Sequence, residues 1–235
     1  TKYFPEPKSI EDPETTEVLK QFIGPEEEVW LRACSIYAAG ELQAKDISEE
    51  LKALIEDPDP YINQHAQLAL VKLNVAAMDE EFRNEVEKMG QDMERILFLK
   101  SVPLFAEMDG DAIRWVNNIV TESVYAKDET VFEEDAPGDA FYLIRRGSVR
   151  VVKGKENPVV ISIREERDYI GEMAILDDEP RSATIEAQED TEMLVIKRDD
   201  FHRLIVTHPT VVFSLFKCLS RRLRETNDQL LETRQ

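Results

Sequence analysis

One segment of the sequence combines a glycine, a carboxylate and an arginine in an order that suits anion binding. It runs from residue 169 to residue 185 and reads YIGEMAILDDEPRSATI. Gly171 opens a short apolar stretch, residues 173–176, that we expect to form one helical turn, and free N–H groups near the start of such a turn attract a single anion. Arg181 adds a planar, permanently charged guanidinium that suits a phosphate.

The acid next to this glycine suits a different part of such a ligand. When ionised, Glu172 can only accept hydrogen bonds, so it pairs with a hydroxyl group or another cation rather than with a phosphate. It lies nine residues before Arg181. The segment therefore predicts a pocket for a ligand that carries one phosphate and one free ribose hydroxyl nearby.

Other kinds of functional site are not favoured. The two cysteines and three histidines do not suggest a disulfide framework or a metal site. The acidic run at residues 177–179 lacks the spaced ligands and central glycine of a calcium loop. We find no nucleophile–base pair in a suitable context, so we expect neither enzymatic activity nor a cofactor.

The charge of the chain restricts its partners. Its 235 residues include 49 acidic and 29 basic side chains, which gives a formal net charge of −20. Such a surface repels nucleic acid and anionic lipid. The sequence shows no run of 18 apolar residues and no signal peptide, so we expect a cytoplasmic location and membrane contact only through a missing part of the chain. The first residue is Thr1 rather than Met, which favours a piece of a longer protein.

The first part of the chain has a helical pattern with an internal repeat. Residues 31–42 and 62–73 carry small or apolar side chains at matching positions, and residues 47–55 read as an amphipathic helix between them. The pattern resembles HEAT-type repeats, and a plain helical bundle is the alternative. We assign residues 1–78 to an irregular lead-in and this HEAT-like module, and residues 79–100 to a connecting helix.

Strand patterns dominate from residue 124 onward. Short strands are predicted at residues 129–132, 140–144, 148–152, 159–163, 182–186 and 192–197. This spacing is typical of a β-sandwich or a β-barrel. A long C-terminal helix follows, and an apolar stripe on it makes it a candidate seam for a homodimer. The stripe consists of Val212, Leu215, Leu219, Leu223 and Leu230.

Three stretches together resemble the cyclic-nucleotide-binding domain family. Residues 171–184 are similar to the phosphate-binding cassette of that family, residues 96–105 to its helical entry, and residues 132–151 to its early strands. The resemblance covers residues 93–233. It implies an α+β chain in which the HEAT-like α-helical module is followed by an eight-stranded, jelly-roll-like β-roll with flanking helices, over residues 101–235.

The resemblance also implies how the cassette would hold a cyclic nucleotide. Arg181 would pair with the cyclic phosphate, with help from the backbone N–H groups of Ser182 and Ala183. Glu172 would accept from the ribose 2′-hydroxyl. The backbone of three further residues would complete the cradle: Gly171, Met173 and Ala174.

Residues outside the cassette would contact the base and the acid. The C-terminal helix resembles that of the bacterial catabolite activators, which implies that Thr226 and Asn227 face the base and that Arg222 pairs with Glu172. The pocket wall would be formed by Val151 and Ser162. One departure concerns the turn before the cassette, where Arg167 stands in place of the usual glycine.

These observations predict a regulatory sensor. We expect it to bind cAMP, favoured by Thr226, with cGMP as the alternative because Ser182 fits either purine. It would relay the signal to an effector outside this chain, such as a membrane transporter, a channel or an enzyme. No helix-turn-helix is expected because the sequence ends at residue 235. The alternative function is a helical-repeat scaffold whose β-roll binds no nucleotide and serves protein assembly.

Overall fold

The computed structural model describes residues 13–73 and 80–232, although the side chains of residues 13–14, 80–87 and 225–232 lie outside the description. The chain divides into two compact units, residues 1–97 and residues 98–235. The helices that begin in the first unit are α1 (Pro13–Phe22), α2 (Val29–Glu41), α3 (Ser48–Ala53), α4 (Pro60–Lys72) and α5 (Glu80–Ser101), of which α5 runs on into the second unit.

Helices α2 and α4 are the two segments that the sequence predicted to be repeats. Each spans 13 residues. They pack closely because Gly40 has no side chain, and a Cβ atom there would lie 3.0 Å from the Cα of Ala69. Helix α4 begins at Pro60, and Asp59 before it accepts a hydrogen bond from the N–H of Tyr61. The HEAT-like assignment itself stays a prediction.

The second unit contains eight strands among its described residues. They are β1 (Thr121–Tyr125), β2 (Thr130–Phe132), β3 (Ala140–Arg146), β4 (Ser148–Lys153), β5 (Val159–Glu165), β6 (Tyr169–Ile170), β7 (Thr184–Ala187) and β8 (Thr191–Lys197). Two antiparallel sheets result, in the orders β1-β8-β3-β6 and β2-β7-β4-β5. The six predicted strands are present to within two residues, whereas β1 and β6 were not predicted.

The remaining helices are α6 (Gly110–Ile119), α7 (Met173–Leu176), α8 (Arg198–Thr207) and α9 (Pro209–Glu232). Strand β3 lies between β8 and β6 in its sheet, and most of its side chains are buried on both faces. Tyr142 points into the cluster between the two sheets, while Phe141 stacks on Phe201 of α8 with ring centroids 4.6 Å apart. Burial on both faces explains why β3 is a continuous apolar run rather than an alternating one.

Helix α9 buries one residue of the predicted stripe, Leu215, while Val212 and Leu219 are partly exposed, Leu223 is exposed and Leu230 lies outside the described side chains. Among the described side chains of α9, the buried ones are Val211, Ser214, Leu215 and Cys218, and the exposed large apolar ones are Phe213, Phe216 and Leu223. Leu215 therefore packs inside its own unit rather than on an outer seam. Helical periodicity reports that an apolar face exists, but not whether it covers its own domain or a partner.

The turn before the cassette, where the resemblance implied a glycine, forms with Arg167 in that place. Arg167 adopts the left-handed conformation with φ 71°. Its N–H donates to the carbonyl of Ile144 at 2.9 Å, and the N–H of Asp168 donates to the carbonyl of Glu165 at 2.9 Å. These hydrogen bonds hold an arginine in a backbone conformation that glycine adopts more readily.

Candidate functional site

The backbone of Arg181 is fixed by the loop that precedes β3. Its N–H donates to the carbonyl of Ala136, and its carbonyl accepts from the N–H of Asp135, both at 2.9 Å. Asp135 has a positive φ of 67°, which turns the loop toward the arginine. Two opposed hydrogen bonds leave Arg181 little freedom to move along the chain direction.

The guanidinium of Arg181 is held by acceptors from three residues. Nη1 donates to the carbonyl of Gly171 at 2.9 Å. Nη2 donates to the carbonyl of Ala140 at 2.8 Å and to the carboxylate of Asp139 at 3.1 Å. The ring of Phe132 lies 4.1 Å below the guanidinium carbon, in cation–π contact. The charged group is therefore held in place by protein contacts alone.

One donor of this guanidinium has no acceptor. Arg181 is only 2% exposed, and its Nε has no hydrogen-bond partner among the described residues. A buried donor without an acceptor costs about 1–3 kcal/mol. An anionic oxygen at this position would satisfy the donor, which is the chemistry that the sequence predicted for Arg181.

Gly171 allows the guanidinium to approach the cassette closely. Its φ is +83°, and a Cβ atom there would lie 2.5 Å from Nη1 of Arg181 and 3.0 Å from the carbonyl oxygen of Ala140. Only glycine fits this combination of backbone conformation and close contact. The glycine that opens the cassette thus has a steric role as well as a conformational one.

The predicted amide donors lie just before β7. The N–H groups of Ser182 and Ala183 donate to no backbone carbonyl among the described residues. The side chain of Ser182 is exposed, with Oγ 3.8 Å from the sulfur of Met173. These two N–H groups follow Arg181 directly in the chain, as the resemblance implied for the donors that would assist it. Ala174, the last predicted cradle residue, is buried and packs against Gly138.

Glu172 is almost completely buried and paired with an arginine of α9. Its residue exposure is 4%, and Oε1 accepts from Nη1 of Arg222 at 2.6 Å. Burial raises the pKa of the Glu172 carboxyl, while the positive charges of Arg222 and Arg164 oppose this shift. The structure therefore brings together the two residues that the resemblance paired.

Arg222 also holds the backbone next to the cassette. Its Nη2 donates to the carbonyl of Tyr169 at 2.7 Å, and its guanidinium carbon lies 4.3 Å from the centre of the Tyr169 ring. One side chain of α9 thus contacts the carboxylate, a carbonyl and an aromatic face of β6. Helix α9 is anchored directly to the site.

The two predicted wall residues are neighbours on adjacent strands. Val151 of β4 and Ser162 of β5 are paired in the register of the sheet, and both are partly exposed. Thr226 and Asn227 belong to α9, but their side chains lie outside the described residues, so their predicted contacts with the base stay predictions.

Two contributors to the site were missed in the sequence. Asp139, which contacts Arg181, directly follows the turn glycine Gly138 and precedes β3, and an acid in that place was an available signal. Arg164 lies on β5 two residues after Ser162, hence on the same face of the strand, and its charge acts on Glu172. No local sequence pattern indicated a role for Arg164, since its neighbours in the sequence are Ile163 and Glu165.

The arrangement of a buried arginine, a paired acid and a glycine-opened cassette on a β-roll can be compared with known proteins. The family model of the cyclic nucleotide-binding domain matches residues 122–208. These residues belong to the cyclic nucleotide-binding domain family. The match contains all eight strands except the first residue of β1, together with the whole cassette.

Relatives of this cyclic nucleotide-binding domain occur in regulatory proteins. The chain is 36% identical over 108 residues to a cAMP-dependent protein kinase regulatory subunit of Aspergillus fumigatus, covering 46% of this chain and 26% of the relative. It is 32% identical over 136 residues to the cyclic AMP receptor protein of Thermus thermophilus, covering 56% of this chain and 62% of the relative. The chain thus spans about a quarter of the kinase subunit's length.

A solved structure agrees with the fold of this domain. The crystal structure of a cyclic nucleotide-binding domain from Methylobacillus flagellatus superimposes with a TM-score of 0.54 at 28% sequence identity, covering 61% of this chain and 84% of that one. Within residues 13–73 and 80–232, no cluster of three or more potential metal ligands is present. No helix in the same ranges combines the length and the apolar character needed to cross a bilayer.

Proposed function

We propose that the second unit is a sensor that binds a cyclic nucleotide, with cAMP preferred to cGMP. The observation that carries the proposal is the buried guanidinium of Arg181, whose Nη atoms are held by protein acceptors while Nε has none. In the proposed complex, a cyclic phosphate accepts from Nε and from the N–H groups of Ser182 and Ala183. It supplies an acceptor for Nε, the one donor of this buried guanidinium that has none among the described residues.

The sugar would be recognised by Glu172. Arg222 contacts Oε1 of this carboxylate, so Oε2 is the oxygen through which a ribose 2′-hydroxyl would donate. The base would extend from the sugar toward Val151 and Ser162, with Thr226 and Asn227 covering it from α9. Gly171, Met173 and Ala174 would complete the cradle through their backbone.

The proposed mechanism is regulatory rather than catalytic. A nucleotide that contacts both the cassette and α9 favours the conformations in which the two are close, which shifts the population toward them. The effector lies outside this chain, and a membrane transporter, a channel or an enzyme stays the expectation from the sequence. A cytoplasmic location and the absence of a nucleic-acid partner also stay predictions.

Calorimetric titration of the chain with cyclic nucleotides tests the proposal. We expect cAMP to bind more tightly than cGMP, 2′-deoxy-cAMP to bind more weakly because it cannot donate to Glu172, and linear AMP to bind more weakly than cAMP because its dianionic phosphate needs more room and more donors. A lack of both heat and thermal stabilisation at millimolar cAMP and cGMP would overturn the proposal. It would favour the alternative, a scaffold with a nucleotide-silent β-roll.

A homodimer through α9 is a second part of the proposal. Phe213 and Phe216 are 64% and 59% exposed, one helical turn apart, and Leu223 is 63% exposed further along the helix. Such apolar residues on one helix suit a second copy of the same helix. Light scattering should give twice the mass of one chain, and Phe216→Ser should lower it. A monomeric mass with and without cAMP would count against the dimer.

A further inference from the structure

Helix α7 of the cassette is held at its end by two side chains of α8. Arg198 Nη2 donates to the carbonyl of Ala174 at 2.6 Å, and Nε2 of His202 lies 3.0 Å from the carbonyl of Ile175. The two side chains are four residues apart and so lie on one face of α8. The last carbonyls of a helix lack partners within it, and here α8 supplies the partners.

Arg198 also reaches the loop that precedes β3. Its Nε donates to the carbonyl of Gly138 at 2.7 Å, its backbone N–H donates to the carbonyl of Asp139 at 2.9 Å, and its Nη1 pairs with Asp178 after α7. Asp139 in turn contacts the guanidinium of Arg181. The side chain of Arg198 therefore joins α7 to the loop that precedes β3, and its backbone contacts Asp139, the residue that holds the guanidinium of Arg181.

The contact between α7 and this loop is close enough to transmit a displacement. A Cβ atom on Gly138 would lie 2.5 Å from the Cβ of Ala174, so α7 cannot move toward the loop without pushing it. Movement away from the loop would stretch the hydrogen bonds of Arg198. Packed groups of this kind move together rather than deform continuously.

We propose that Arg198, assisted by His202, is the positioning residue that makes α8 and α9 follow the cassette when a nucleotide binds. This inference rests on the proposed function. Helix α8 leads through His208 into α9, and α9 returns to the site through Arg222 and Glu172. The contacts form a closed path: Arg181, Asp139, Arg198, α8, α9 and Glu172. A nucleotide that displaces α7 thereby displaces the helix that would report binding to an effector.

The protein contains a natural reporter for this movement. Trp115 of α6 lies beside His208 at the junction of α8 and α9, with ring centroids 6.0 Å apart. The chain has two tryptophans, and Trp30→Phe removes the other one. Tryptophan emission in that background then reports the environment of the junction between α8 and α9.

The experiment compares Arg198→Met with Arg203→Met, both in the Trp30→Phe background. Arg203 is an exposed arginine of the same helix whose ion pair with Asp200 is 3.7 Å long, so it controls for loss of charge and for helix propensity. At saturating cAMP, checked by calorimetry, we expect a change of Trp115 emission in the parent and in Arg203→Met, and loss of this change in Arg198→Met. The cAMP affinity of Arg198→Met should also fall, by the coupling factor of about 5- to 150-fold.

Each outcome is decisive for one of the two proposals. A full emission change in saturated Arg198→Met would overturn the coupling role and leave nucleotide binding intact. Absence of both heat and thermal stabilisation with the parent protein would overturn nucleotide binding, and the coupling with it. If circular dichroism shows that Arg198→Met is unfolded, the same emission measurement is made on Arg198→Lys. A lysine keeps the positive charge but cannot contact Gly138, Ala174 and Asp178 at the same time. An undiminished response in Arg198→Lys would then count against the coupling.

Discussion

Arg222 and Glu172 are separated by 50 residues in the sequence, and their side chains form an ion pair with an Nη1–Oε1 distance of 2.6 Å. The carboxylate is buried and the guanidinium is 16% exposed. A buried carboxylate is stable only if it is paired. The acid proposed to hold the sugar therefore depends on a residue of the C-terminal helix, and the helix depends on the acid for its attachment.

Removal of one partner of this pair should destabilise the protein. We expect Arg222→Met to lower the free energy of unfolding by about 3 kcal/mol, the low end of the range for breaking a buried pair. The double variant Glu172→Gln/Arg222→Met should recover most of the loss, because no unpaired charge stays buried. Urea denaturation measures both. The control is Arg146→Met, whose exposed pair with Glu192 should contribute less than about 1 kcal/mol. Equal losses in Arg222→Met and in the double variant would contradict this account.

The same acid should make stability depend on pH. Burial raises the pKa of Glu172 in the folded protein above its ordinary value of 4.5. Between pH 4.5 and this raised pKa, the folded state binds more protons than the unfolded state, so the contribution of Glu172 to stability falls as pH rises through this window. Glu172→Gln lacks this loss. We therefore expect the free energy of unfolding of Glu172→Gln, relative to that of the parent, to increase as pH rises through this window. Denaturation at several pH values measures this difference. A difference that is constant with pH would show that the carboxyl does not titrate as described.

Gly171→Ala should affect both stability and ligand binding. The left-handed conformation alone costs a non-glycine residue about 1–2 kcal/mol, and the new Cβ would displace the guanidinium of Arg181. We therefore expect a lower melting temperature and weaker cAMP binding. Gly154→Ala is the matched control, since Gly154 has a φ of +94° but contacts Asn157 rather than the cassette. It should lower the melting temperature and leave cAMP affinity unchanged; equal affinities in the two variants would argue against the steric role of Gly171.

Arg181→Lys should reduce the free energy of nucleotide binding more than it reduces the free energy of unfolding. A lysine keeps the positive charge but cannot serve Gly171, Ala140 and a phosphate at once. Loss of a charge-assisted hydrogen bond costs about 1.5–3 kcal/mol, or about tenfold to over a hundredfold in Kd. Calorimetry with cAMP measures the loss, and Arg146→Lys on the exposed end of β3 should bind as the parent does. Parent-like affinity in Arg181→Lys would place the phosphate elsewhere.

Arg167→Gly should stabilise the protein. The arginine has a φ of 71°, and glycine removes the associated strain at the expense of greater chain entropy in the unfolded state, for a net gain of about 0.5–1 kcal/mol. The neighbouring change Glu166→Gly offers a control without a positive φ to relieve, and it should destabilise. Thermal unfolding of the two variants should therefore shift in opposite directions. A lower melting temperature for Arg167→Gly would mean that the arginine side chain contributes more than its conformation costs.

The sequence alone determined the cassette and the kind of ligand that it suits. Gly171, Glu172 and Arg181 lie within one short segment, and their proposed roles follow from local properties: backbone freedom, acceptor chemistry and permanent charge. The strands were also readable where polar and apolar residues alternate or where an apolar run is bounded by turns. Strands β1 and β6 were missed because β1 has mostly exposed side chains and β6 has only two residues.

Only the tertiary structure decided what surrounds the cassette. Asp139 directly precedes β3 and Arg198 directly follows β8. No spacing in the sequence relates either residue to Arg181. The inward face of α9 was likewise decided by packing, since Leu215 could have faced either its own unit or a partner. Local patterns specify what a residue can do; which acceptor or face it meets depends on contacts between distant segments, and these exist only once the two sheets and α8 have packed together.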